Sequence, residues 1–144
     1  MLSSGRILAI DYGERRIGLA LSDELGMIAS GAGTIPGDEK AVSQIAELAT
    51  ERGVVHIIVG MPLTLKGEVG DTARMVQRFV EKLSAAIDIP VDTLDERFTS
   101  SMAEQAIRDM GVGRKKRRDK GKIDEIAAVI LLQGYLDGKT TTAG

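Results

Sequence analysis

Two short apolar runs near the amino end constrain what this chain can fold into. Ile7-Leu8-Ala9-Ile10 is unbroken in hydrophobicity, the pattern of a strand covered on both faces of a sheet. Asp11 ends it and Gly13 follows. After the polar turn Glu14-Arg15-Arg16 a second run begins, Ile17-Gly18-Leu19-Ala20-Leu21-Ser22. Two strands across so short a polar connection read as an antiparallel hairpin. A carboxylate at the end of a buried strand is costly unless it is paired or bound to a metal. A turn-forming Asp ahead of Gly accounts for Asp11 equally well on this stretch alone. The deciding question is whether other carboxylates converge on it.

Composition narrows the chemistry. At 144 residues the chain suits one domain, expected over residues 1–137, with residues 138–144 as a flexible tail. It has no Cys, one His and no Trp, so disulfides, thiolate metal sites and Cys nucleophiles are excluded. Carboxylate, Lys/Arg, hydroxyl and metal chemistry remain. The segment before the first strand is too short for a signal peptide, and no apolar run approaches bilayer length. The expectation is a cytoplasmic protein with no membrane partner. Net charge is −2, but seven basic residues and one acid lie between Arg114 and Lys122, leaving 12 basic and 20 acidic residues elsewhere. A segment of +6 on a body of −8 is the footprint of a local polyanion contact, centred on Arg114, Lys115, Lys116, Arg117 and Arg118. A solvated loop without a partner is the plainer alternative.

Beyond the hairpin, Met27 to Ile35 reads as a third strand, placed at an edge by Gly31 and Gly33. Gly37-Asp38 opens a helix with Ala41, Val42, Ile45, Leu48 and Ala49 on one face and Gly53 as its left-handed cap. Val54 to Val59 is a central strand, within which His56 reads as a half-buried strand residue rather than a ligand. The loop from Met61 to Gly70 leads into a helix capped by Asp71 or Thr72, with Met75, Val76, Phe79, Val80, Leu83 and Ile87 on its apolar face. Pro90 to Leu94 is the fifth strand and ends in Asp95-Glu96-Arg97. Ser101 and Glu104 make a capping box for a helix closed by Gly111. A last helix starts near Ile123, runs to Leu136 and is apolar on most sides; Asp124 falls in its first turn, where the helix dipole alone favours an acid.

The expected fold is therefore α/β: a mixed five-stranded sheet, three antiparallel strands and then two parallel ones, flanked by helices. Right-handed crossovers place the fourth and fifth strands beside the first. Asp11, Glu96 and Asp124 then sit at strand ends or a helix start that can face one rim, where open α/β sheets place ligands. Carboxylates brought together are tolerated when divalent cations neutralise them, and oxygen-only ligands favour Mg²⁺ or Mn²⁺ over Zn²⁺. Two such ions about 4 Å apart stabilise the attacking and leaving oxygens of phosphodiester cleavage.

Four motifs in order resemble the YqgF (RuvX) family over nearly the whole chain: Ala9-Ile10-Asp11-Tyr12-Gly13 with Arg16-Ile17-Gly18; Ile58-Val59-Gly60-Met61-Pro62 with Gly67; Asp95-Glu96-Arg97; and Ile123-Asp124 with Ala127-Ala128 and Gln133-Gly134-Tyr135-Leu136. The resemblance implies an RNase H-like nuclease linked to 5′-end maturation of pre-16S rRNA and, earlier, to Holliday junction resolution. It implies metal-binding acids at Asp11, Glu96 and Asp124, with Asp95 a close candidate and Arg97 placed for a phosphate oxygen. The implied partners are nucleic acid, as pre-rRNA or branched DNA, and ribosomal precursor particles; the chain itself is expected to be a monomer or weak homodimer. Two departures stand out. Thr64 and Lys66 replace the Asn and acidic residue more usual in that loop, and Ala127 stands where related resolvases have another acid. Two rivals remain: an actin- or sugar-kinase-like ATPase, which needs a second such domain, and a non-catalytic RNA- or ribosome-associated module. Aromatic residues make up only 3%, so binding should lean on phosphate charge rather than base stacking.

Overall fold

A computed structural model describes residues 5–62, 70–95 and 120–142. Five strands, β1 (Arg6–Asp11), β2 (Arg16–Ser22), β3 (Ala29–Pro36), β4 (Val54–Met61) and β5 (Val91–Asp95), form one sheet in the order β3-β2-β1-β4-β5. β1 and β3 both pair antiparallel with β2, while β4 runs parallel to β1 and β5 parallel to β4. The mixed sheet is the expected one, with β5 on the far side of β4 rather than against β1. β3 lies at an edge, as expected, and β5 forms the other edge.

The unbroken apolar run of β1 follows from its central place, because both of its faces are covered. Leu8 and Ile10 join the core formed with α1 (Ala41–Arg52) and α2 (Asp71–Ala86), which supply Ile45, Ala49, Val76, Phe79 and Leu83. Ile7 and Ala9 face the other way, with Ala20 and Ile58, onto Ala128, Leu131, Leu132 and Leu136 of α3 (Lys120–Thr142). Side-chain alternation along a strand accounts for this division. Strand β3 is bound to α3 through side chains: the Ala29 N–H donates to Gln133 Oε1 at 2.9 Å and the Gly33 N–H to Glu125 Oε2 at 2.5 Å.

Several boundaries differ from the sequence reading. Helix α1 opens at Ala41, and Asp38 accepts from the Lys40 N–H instead of starting the helix; Gly53 is left-handed at φ 65°, as expected. The extended Gly70 is the N-cap of α2, so Asp71 is already helical and reaches Arg74 at 3.4 Å on the surface instead of capping. Helix α3 begins at Lys120, inside the basic segment, and continues past Leu136 to Thr142. Once its middle is fixed by buried leucines, adding residues at either end costs little. Asp124 is therefore a full turn inside the helix, and the end-of-helix explanation for this acid no longer applies. Among the described residues no helix is long and apolar enough to cross a membrane. The helix expected after Ser101 and the loop around Thr64 to Gly67 lie outside the described residues.

Candidate active site

Asp11 is the last residue of β1 and falls, by alternation, on the α3 face with Ile7 and Ala9. Its neighbours across the sheet carry no side chains. On one side it pairs with Gly18 of β2; on the other, the Ile10–Val59 pair is followed along β4 by Gly60. The gap over Gly18 is filled by the backbone of α3. A Cβ built on Gly18 would collide with the backbone carbonyl of Asp124. Only glycine lets helix and strand approach so closely here. Asp11 and Asp124 are thereby placed against the same residue, at the carboxyl end of β1.

The Asp124 carboxylate is held there by charge. Arg16, which opens β2, donates from Nε to Asp124 Oδ2 at 3.1 Å, with the two side chains 37% and 30% exposed. The next residue, Glu125, turns to β3: a Cβ on Gly31 would lie 2.6 Å from its Oε2. Gly33, whose N–H it accepts, sits at φ 87°, a conformation few residues other than glycine adopt. Asp95 closes β5 opposite Met61.

Of the residues singled out in the sequence, Asp11 and Asp124 are brought to one rim. Glu96, Arg97, Arg114, Lys115, Lys116, Arg117 and Arg118 lie outside the described residues. Among the described residues no group of three His, Cys, Asp or Glu side chains could hold a metal ion. Asp11 and Asp124 fit a divalent cation in kind, being oxygen donors at one glycine-flanked position. Sequence reasoning gave no role to Arg16, although its place just after the hairpin turn puts it at the same rim as Asp11. It also missed a cluster at the other end of β4. There His56 Nε2 lies 2.7 Å from Asp92 Oδ2, and Tyr135 Oη lies 3.4 Å from His56 Nδ1. Burial raises the Tyr135 pKa above the usual phenol value, and the Asp92 charge adds to the effect.

The fold is RNase H-like. The chain resembles Thermus thermophilus RuvC bound to a Holliday junction substrate (TM-score 0.59, 14% identity, covering 96% of this chain and 97% of that one). It also resembles the fowlpox virus resolvase in complex with junction DNA (TM-score 0.53, 14% identity, covering 92% and 97%). The particular family follows from sequence: residues 5–138 match the RuvX model, described as Holliday junction resolvase, and the chain belongs to that family. A relative from Chloroflexus aggregans, named "Putative pre-16S rRNA nuclease", is 50% identical over 92% of this chain and 94% of its own. A protein of the same name from Thermosynechococcus vestitus is 42% identical, covering 95% and 91%.

Proposed function

We propose that this member of a nuclease family cleaves phosphodiester bonds with divalent metal at the rim where β1, β2 and α3 meet, and that its substrate is the 5′ region of pre-16S rRNA. The observation that carries the reading is that Gly18, the β2 partner of Asp11, lies directly under the backbone of Asp124, which brings the two acids to one strand end. Glu96 is proposed as the third acid of the set. Asp11, Glu96 and Asp124 would hold Mg²⁺ or Mn²⁺, which when bound supplies charge stabilisation to the attacking and leaving oxygens.

The chain's own residues do the rest. Asp11 is fixed by the middle strand of the sheet, paired on both sides, so its position varies little. Asp124 is fixed by a helix whose buried face prevents it from swinging away. The basic residues Arg114 to Arg118 are proposed to bind phosphates flanking the cleaved bond, with Arg97 on a phosphate oxygen. The names of the sequence relatives favour pre-rRNA as substrate. A second reading, cleavage of four-way DNA junctions, is favoured by the description of the family model.

The test is purified protein with Mn²⁺ on a pre-rRNA leader fragment and, separately, a four-way DNA junction. Wild type should cut the leader. Asp11→Asn should lose at least a hundredfold in rate, the scale on which removing one electrostatic stabiliser slows an enzyme, while still binding the RNA. Cutting of the junction alone would replace the rRNA reading with the resolvase one. Binding without any cutting would leave a non-catalytic module.

A further inference from the structure

We infer that Arg16 is an internal counter-ion that occupies Asp124 until substrate arrives, and so makes metal loading depend on the presence of a phosphodiester. The inference rests on the metal-site reading above and names a residue that acts through Asp124, a positioning residue.

The geometry assigns this role in three steps. Arg16 lies two residues before Gly18 on the same face of β2, so it stands just outside Asp11 on the rim. Its Nε donates to Asp124 Oδ2, one of the oxygens a cation would use. A guanidinium carries five N–H donors, and the bond to Asp124 uses the one on Nε. A guanidinium on a carboxylate lowers that carboxylate's attraction for a divalent cation, both by occupying lone pairs and by adding positive charge beside the ion. A phosphate entering the site offers Arg16 a second anion with matching fork geometry. Moving to it would free Asp124 and place a positive group on the substrate. An arginine that merely tied α3 to β2 would not give this coupling.

The experiment measures Mn²⁺ affinity by isothermal titration, first with the metal alone and then with a non-cleavable phosphorothioate RNA oligonucleotide. Without RNA, Arg16→Gln should bind Mn²⁺ three- to fivefold more tightly than wild type, the size of coupling expected for a partly exposed ion pair. Arg16→Lys, which keeps the charge, should stay near wild type. Adding RNA should tighten Mn²⁺ binding more in wild type than in Arg16→Gln, and by reciprocity Mn²⁺ should tighten RNA binding less in the variant. In an Asp124→Asn background, Arg16→Gln should change nothing. Circular dichroism verifies the fold, and Arg16→Met, which keeps the aliphatic stem, replaces the Gln variant if that one is unfolded. Equal or weaker Mn²⁺ binding by the neutral Arg16 variant, with Asp11→Asn losing the metal, would reduce Arg16 to a structural tie and leave the nuclease reading intact. Undiminished Mn²⁺ binding by both Asp11→Asn and Asp124→Asn would overturn the metal site itself and this inference with it.

Discussion

The two ends of helix α3 meet the sheet by different means. Near its amino end the contact is backbone and charge: the Asp124 carbonyl lies over Gly18, Glu125 reaches Gly33, and Arg16 holds the Asp124 carboxylate. Toward its carboxyl end the contact is mainly burial, with Gln133 adding a bond to the Ala29 N–H. Leu131, Leu132 and Leu136 are almost wholly enclosed, and beside them Tyr135 leans edge-on against His56 with ring centres 5.9 Å apart. Apolar burial cannot be exchanged for a ligand, whereas a partly exposed ion pair can. The far end anchors the helix so that the near end can keep groups with replaceable partners.

Truncating the anchor should have the largest effect on stability. Leu132→Ala, at a fully buried position, should cost about 2–5 kcal/mol in denaturant unfolding. Its loss of cleavage should follow the loss of folded protein. A cost below about 1 kcal/mol would mean that the far end does not carry the helix. Next comes Gly18→Ala, where the new methyl meets backbone rather than a movable side chain. It should cost roughly 1–3 kcal/mol through overpacking, and it should reduce cleavage far more than that loss of stability accounts for. Gly138→Ala is the contrast at the other end: nothing lies within 4 Å of its added carbon, so it should be neutral or stabilising by up to about 1 kcal/mol. Equal behaviour of the two glycine variants would erase the distinction drawn between the ends.

The smallest effect concerns pH. The Tyr135 pKa is raised in the folded protein above its unfolded value, first by burial and second by the Asp92 charge. The folded state therefore binds the phenolic proton more strongly than the unfolded state does. The associated stability is fully present below the unfolded value of 10.0 and is lost as pH rises through the higher folded value. Wild type should thus lose more stability than Tyr135→Phe between pH 9 and pH 11 (roughly the span around a phenol's usual pKa). Parallel curves in thermal unfolding would show that Tyr135 does not contribute this term.

What could be read from the sequence follows from where the information is local. Strands β1 and β4 were legible because apolar runs have few alternatives, and the faces of α1 and α2 because their apolar positions recur at helical spacing. The start of α3 was not, since Lys120-Gly121-Lys122 offers no apolar position and a glycine that disfavours helix. A helix start near Ile123 puts Asp124 in a first turn and supplies a local explanation for it. Its real partner, Arg16, lies 108 residues away in the chain and is brought to it only by the packing of α3 on β2. In the sequence Gly18 is one more residue of a strand, and only the helix that crosses it makes its missing side chain count. For Asp11 the end of a strand is legible in the sequence, but not that its partner across the hairpin is Gly18. Glu96 and the basic run remain expectations drawn from residue type and order.

The side-chain bonds from α3 to β3 have a consequence for how copies of this chain can meet. An edge strand invites a foreign strand to pair with it through its free main-chain donors. Here the donors of Ala29 and Gly33 are already engaged by Gln133 and Glu125, and the left-handed bend at Gly33 interrupts a flat run. The helix that carries Asp124 therefore also guards the border of the sheet. Extension of the sheet from one molecule into the next would first have to strip those two side chains from their own strand.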